Sequence, residues 1–209
     1  MNFRNKELKL TKNDLFKKGV RQDTLNTVLQ EAEFINREIL LTTITPTLSD
    51  ELDRVIRFWN DIDEVEGGGE RRPIKIFIDC VGGGSLTAMF TLIDAIKLSK
   101  TPVYTINIGT VCKEALYVYL AGHKRYAYPR SSFMFKKDLK PFDVDDNPQS
   151  NFASFCEKQI NEMKDMLFDK TKITESEYEK RETWWIDAEK AHDLKICNEV
   201  ARTRTMENF

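Results

Sequence analysis

Three consecutive glycines, Gly82-Gly83-Gly84, follow the apolar run Ile74 to Ile78 and precede a segment of helical periodicity. Exposed backbone N–H groups at a strand-to-helix turn can hold an anion or stabilise an oxyanion. Three glycines also serve simply to let the backbone turn tightly. The turn lacks the Lys-Ser/Thr of a phosphate-binding P-loop, and no G-x-G-x-x-G occurs, so nucleotide binding is poorly supported. A second strand-to-helix corner, Ile108-Gly109-Thr110-Val111-Cys112-Lys113-Glu114-Ala115, carries both a thiol and a lysine. No histidine accompanies Cys112, which reads as a small buried thiol. Ser85 or Ser131 could act with Lys113 or Lys136 as a serine-lysine dyad, which requires proximity and a depressed lysine pKa. His123 reads as solvated in its Gly-His-Lys-Arg turn, and His192 as packing or surface. Two histidines leave little material for a histidine-based triad or a metal site. Cys80, Cys112, Cys156 and Cys197 stand far apart, with no C-x-x-C pair and no zinc spacing, so neither metal nor cofactor is expected. Trp184 and Trp185 read as core or interface anchors before an aromatic binding feature.

These residues need elements to position them. Leu25, Val28, Leu29, Ala32 and Ile35 recur at helical spacing between Thr24 and Arg37, and Glu38 to Ile44 then turns apolar and β-branched. Pro46 closes that strand, and Ser49 or Thr47 could cap a helix through Leu52, Val55, Ile56 and Trp59. The glycine-rich stretch Asp63 to Arg72 is a surface loop. A strand from Pro73 to Ile78 leads into the glycine turn, and Ala88, Leu92, Ile93 and Ile96 mark the following helix. The unit then returns: a strand from Pro102 to Ile108, a turn at Gly109, and an apolar helix from Ala115 that ends at Gly122. Further strands are expected over Arg125 to Tyr128 and Ser132 to Lys136. A long helix runs through Phe152, Phe155, Ile160, Met163 and Leu167. A last helix over Ala188 to Leu194 precedes a terminal strand, Ile196 to Ala201. Alternating strands and helices argue for an α/β fold with largely parallel strands.

The chain is long enough for one substantial core, not for two large domains. Residues 1–22 read as a polar, lysine-rich mobile arm and 23–209 as a single domain. Thirty-two basic against thirty-four acidic side chains leave a net charge of −2, which supplies no field for drawing nucleic acid or an anionic membrane. The charged N-terminus has no signal-peptide core and no segment has the apolar length of a membrane span, so a cytoplasmic protein is expected.

Taken in order, the runs IDCVGGGSLTA, INIGTVCKEALYVYLAG, YPRSSFMFKK and WIDAEKAHDLKICNEV resemble segments of the Clp protease proteolytic subunit, a likeness that extends from Glu38 to Val200. The resemblance implies a ClpP/crotonase-like fold of repeated β-β-α units with a protruding handle helix, the handle region lying at about 137–170. It also implies a homo- or hetero-oligomeric ring of ClpP-like subunits, stacked in pairs and served by a Clp-type ATPase. Carried over position by position, the nucleophilic serine falls on Lys113, the histidine on Lys136 and the aspartate on Thr183. None of the three residue types is retained. An ammonium cannot attack a peptide as an activated hydroxyl does, and neither lysine has an obvious carboxylate partner except Glu114 or Asp138. The family has two glycines where this chain has Gly82, Gly83 and Gly84. One reads as an insertion that would shift the N–H groups of this oxyanion-type turn, which Glu114 accompanies from the second corner. The resulting expectation is a catalytically silent subunit, structural or regulatory in role. One rival is a peptidase with a reassigned Ser-Lys dyad. Another is an acyl-CoA-binding member of the crotonase-like hydratase and isomerase superfamily, although no clear adenine-binding stretch is present and the chain is short for that group.

Overall fold

A computed structural model describes residues 30–66, 70–137 and 151–202. The expected N-terminal arm and Asp138 therefore lie outside the described residues. The chain divides at Leu40. On its N-terminal side, residues 30–36 are helical.

Strand β1 (Glu38–Leu41) stops short of the apolar run that suggested it. Ile44 instead makes an isolated parallel bridge to Gly84. Helix α1 (Pro46–Glu66) follows. Its cap is neither Ser49 nor Thr47 but Thr45, whose Oγ1 accepts from the Leu48 N–H at 3.3 Å. Pro46 is suited to the first helical position because it has no N–H to leave unsatisfied there. Leu52, Ile56 and Trp59 form the buried stripe of α1 at helical spacing.

Strand β2 (Ile74–Cys80) buries every second residue, Ile74, Ile76, Ile78 and Cys80, against the core. Ser85 then caps α2 (Leu86–Lys97) by accepting from the Ala88 N–H. Strand β3 (Val103–Cys112) runs parallel to β2 and feeds α3 (Glu114–Ala121). Seven consecutive residues of α3, Ala115 to Ala121, are buried. A helix without a polar face must be covered on all sides, and α3 packs against β3, α2 and α4 (Phe152–Lys170).

The seven strands form one mixed sheet with the path β1-β2-β3-β4-β7 and an offshoot through β5 and β6. The offshoot arises because β3 changes partner along its length. Tyr104 to Asn107 pair with β4 (Lys124–Ala127), whereas Thr110 to Cys112 pair with β5 (Ser132–Lys136). The buried amide of Asn107 fills the fork: its Nδ2 donates to the Ser132 carbonyl at 2.8 Å and its Oδ1 accepts from the Gly109 N–H at 3.1 Å. A Cβ on Gly109 would come within 2.4 Å of Asp79 Oδ1, so a side chain there would push aside the carboxylate that accepts from the Thr110 N–H at 2.9 Å. The sequence pattern did not reveal β6 (Thr183–Asp187), which pairs antiparallel with β5, or the short helix α5 (Glu175–Glu179) that precedes it. The final elements are α6 (Ala188–Asp193) and β7 (Glu199–Val200), the latter shorter than the expected strand.

One buried cation fastens the C-terminal region to this frame. Arg125, on β4, donates from Nε to the Ile196 carbonyl at 2.8 Å and from Nη2 to those of Lys195 and Lys170 at 3.1 and 3.4 Å. Burial holds its guanidinium below the usual arginine range.

Candidate functional site

The fork in the sheet determines where Lys113 sits. Because β3 has transferred to β5, the Lys113 N–H donates to the Met134 carbonyl at 3.0 Å. Two residues further along β5 is Lys136, and directly across the antiparallel ladder from it lies Thr183. The three positions singled out in the sequence are thus brought to one end of the sheet. Lys113 and Lys136 are half-buried and Thr183 is exposed. Among the described residues neither lysine has an ion-pair partner. The neighbouring Lys137 is committed elsewhere: it pairs with Glu179, which raises the Lys137 pKa while Lys137 lowers that of Glu179. Glu179 also pairs with Lys164 of α4, and both ammoniums lie over the Tyr178 ring, so α5 is tied to α4 and β5.

Lys113 has φ 52 and ψ −122, one of three described non-glycine residues at positive φ. A lysine gains nothing from this left-handed geometry, which costs on the order of 1–3 kcal/mol and persists only where the surrounding structure imposes it. It is the sharp strand-to-helix elbow on which hydrolases present a nucleophile. Here the elbow presents an amine.

The glycine turn faces the elbow. Gly83 has φ +70, and a Cβ there would come within 2.1 Å of Glu114 Oε2. The Gly84 N–H, expected to be free to meet an anion, donates to that same Glu114 oxygen at 3.0 Å. Glu114 therefore partners the turn and forms an ion pair with neither lysine. A Cβ on Gly84 would also lie 2.2 Å from the Ile44 carbonyl oxygen, whereas nothing lies within 4 Å of one on Gly82. Of the three glycines, Gly82 is the one whose side chain would have room. We expect Gly84→Ala to destabilise the protein by about 1–3 kcal/mol, through overpacking against main chain, and Gly82→Ala to fall within roughly 0.5 kcal/mol of wild type. Thermal unfolding compares the two; equal shifts would contradict the packing.

The remaining candidates are placed as follows. Cys80 and Cys112 are buried, and burial pushes both thiols up, away from the reactive thiolate. The Ser85 hydroxyl is used as the α2 cap, and the Ser131 hydroxyl is buried without a hydrogen-bond partner among the described residues. Neither serine is thus hydrogen-bonded to a lysine. His123 is exposed, as expected for its turn, but its Nδ1 accepts from the Val103 N–H at 3.1 Å; His192 is exposed on α6. Trp184 stacks under Arg181, 4.1 Å from the guanidinium carbon, while Trp185 is 58% exposed. Among the described residues no His/Cys/Asp/Glu group is placed to hold a metal ion, and no helix is long and apolar enough to cross a membrane.

The elbow at Lys113, the glycine turn and the β5–β6 ladder thus come together at one end of the sheet. A family model described as Clp protease matches residues 54–204, a span that contains the glycine turn, Lys113, Glu114, Lys136 and Thr183, and the chain belongs to that family. ATP-dependent Clp protease proteolytic subunit 2 of Treponema denticola is 26% identical over 178 residues, covering 82% of this chain and 86% of the relative. Its namesake from Borreliella burgdorferi is 24% identical over 138 residues, covering 64% and 69%. Among solved structures, a point mutant of ClpP1 from Listeria monocytogenes shares the fold, with a TM-score of 0.67 at 22% identity over 84% of this chain and 97% of that one.

Proposed function

We propose that this protein is a Clp-type proteolytic subunit without hydrolytic activity, which acts structurally or as a regulator in a ring of ClpP-like subunits served by a Clp-type ATPase. The observation that carries the reading is Lys113 on the elbow. An attacking hydroxyl there would need a neutral base beside it and a carboxylate behind the base. Positions 113, 136 and 183 supply an amine, an amine and an exposed hydroxyl. The assembly part draws on α4, the helix in the place of the family's handle. Met163, Met166 and Leu167 pack it on the core, yet Phe155 nearer its start is 54% exposed. Phe155 continues the same stripe about two turns ahead of Met163, beyond the part that the core covers, and an exposed aromatic so placed suits burial against a second subunit. The ring is homomeric or mixed with active subunits whose sites it dilutes.

The test is one preparation with two readouts. Purified protein run by native mass spectrometry is expected as a ring or double ring, and the same sample leaves casein and fluorogenic peptides uncut and takes no label from a fluorophosphonate. Turnover that disappears with Lys113→Ala would overturn the silent-subunit reading. A monodisperse monomer at micromolar concentration would overturn the assembly.

A further inference from the structure

The contact between Glu114 and the glycine turn has no role in the reading above. A glutamate at the first position of a helix ordinarily stabilises its own helix end. Glu114 reaches instead to the Gly84 N–H, thirty residues earlier in the chain, at 3.0 Å. The Lys113 stem lies on the same turn, its Cδ 3.0 Å from the Cβ position of Gly83. The charges described nearby are Lys113, Lys136 two residues beyond Met134 on β5, Glu114 on the turn, and Asp79, whose Oδ1 accepts from the Thr110 N–H at 2.9 Å; among the described residues neither lysine is ion-paired. Beside them is an exposed apolar surface. Met134, whose carbonyl accepts from the Lys113 N–H, is the ladder partner of Trp185, and Trp185 shares its face of the sheet with Thr183. Trp185 is 58% exposed although ringed by the strand positions of the site.

We propose that the turn is a carboxylate-binding site, that Glu114 is its tethered occupant, and that the ligand which displaces it is the free C-terminal carboxylate of a peptide. The inference rests on the cleft being non-hydrolytic, as argued under Proposed function. The geometry of carboxylate capture is the one Glu114 itself displays at the Gly84 N–H. The two ammoniums provide the remaining charge, and Trp185 offers an apolar face to the side chain of the terminal residue. A neutral amide gains no charge attraction from either ammonium and is discriminated against. The occupant that is already present weakens any incoming ligand, because only the fraction of molecules with Glu114 displaced can bind.

Calorimetric titration with N-acetyl-Ala-Ala-Leu, as the free acid and as the C-terminal amide, tests this on the full chain. The acid is expected to bind at least about ten-fold more tightly than the amide, and Glu114→Ala to tighten the acid by about ten-fold more, the equivalent of one charge-assisted hydrogen bond. Lys113→Met with Lys136→Met should abolish the preference for the acid. Glu114→Gln, which keeps the length and hydrogen bonding of the side chain, should shift affinity in the same direction by less and serves if the alanine variant does not fold. Equal binding of acid and amide, or no tightening in either Glu114 variant, overturns the proposal. Mass spectrometry of the recovered peptide separates the two readings: cleaved peptide sinks the silent-subunit reading, whereas intact peptide that fails to discriminate sinks only this one.

Discussion

Lys113→Ser, Lys136→His and Thr183→Asp introduced together are expected to leave peptide hydrolysis near background, and adding Glu114→Ala to raise it by about 10²-fold or more. The three substitutions reinstate a hydroxyl on a sharp strand-to-helix elbow, at φ 52 and ψ −122. They also place an imidazole and a carboxylate at positions 136 and 183, which are directly opposed in the β5–β6 ladder. What they do not restore is the oxyanion donor. The Gly84 N–H stays bonded to Glu114, and a fixed carboxylate at that point opposes the negative charge that develops on the tetrahedral intermediate. Loss of a single oxyanion donor costs about 10²–10³ in kcat, so vacating it should return that factor. Progress curves with a fluorogenic peptide decide the matter: full activity in the triple variant, or no gain from Glu114→Ala, would show that Glu114 does not block the turn. Deleting a glycine is a separate intervention. The residue to delete is Gly82, which borders open space, since Gly84 carries the bridge to Ile44.

The largest expected effect on stability comes from Arg125→Ala. The substitution strands the Ile196, Lys195 and Lys170 carbonyls, each of which now accepts from the guanidinium. It also opens a cavity beneath β4. Breaking a buried charged network of this kind costs about 3–5 kcal/mol, or a fall of roughly 10 °C in Tm for a chain of this size. Arg125→Lys should recover only part of the loss, because one ammonium lacks the planar fork that reaches separate acceptors. Thermal unfolding followed by circular dichroism measures both, and a shift of under about 2 °C in the alanine variant would contradict the anchoring role.

The parts of this molecule that were legible in the sequence are those written in local periodicity. β2, the glycine turn and α2 could be read from alternating isoleucines followed by a 3.6-residue repeat, and β3 with α3 from two apolar runs separated by Gly109 and closed by Gly122. The elbow at Lys113 was placed by its flanking segments. The hidden parts depend on pairings between distant residues. β6 was missed because Thr183 to Asp187 becomes a strand only by pairing with β5, fifty residues earlier in the chain. Helix α5 did carry a signal, the Thr174–Glu177 capping box, but too few residues follow it for a periodic stripe. The cap of α1 was misplaced by a few residues because Thr45, Thr47 and Ser49 are chemically alike and only geometry separates them. The fork at Asn107, the reach of Glu114 and the grip of Arg125 join residues 25 to 71 positions apart. No window on the sequence contains both partners.

The bridge between Ile44 and Gly84 gives α1 a mechanical character. In that bridge the Ile44 carbonyl accepts from the Ser85 N–H at 3.0 Å, so the residue just ahead of α1 is held by main chain to the turn. Helix α1 starts two residues later and extends through 21 residues, a rod of about 31 Å. Its far end carries Val65, which is 87% exposed. The last turns of the helix are tied as well, Asn60 Nδ2 donating to Ser99 Oγ at 2.8 Å and Asp63 accepting from Thr101 Oγ1 at 2.6 Å, so α1 is a strut pinned at the glycine turn and at the entry to β3.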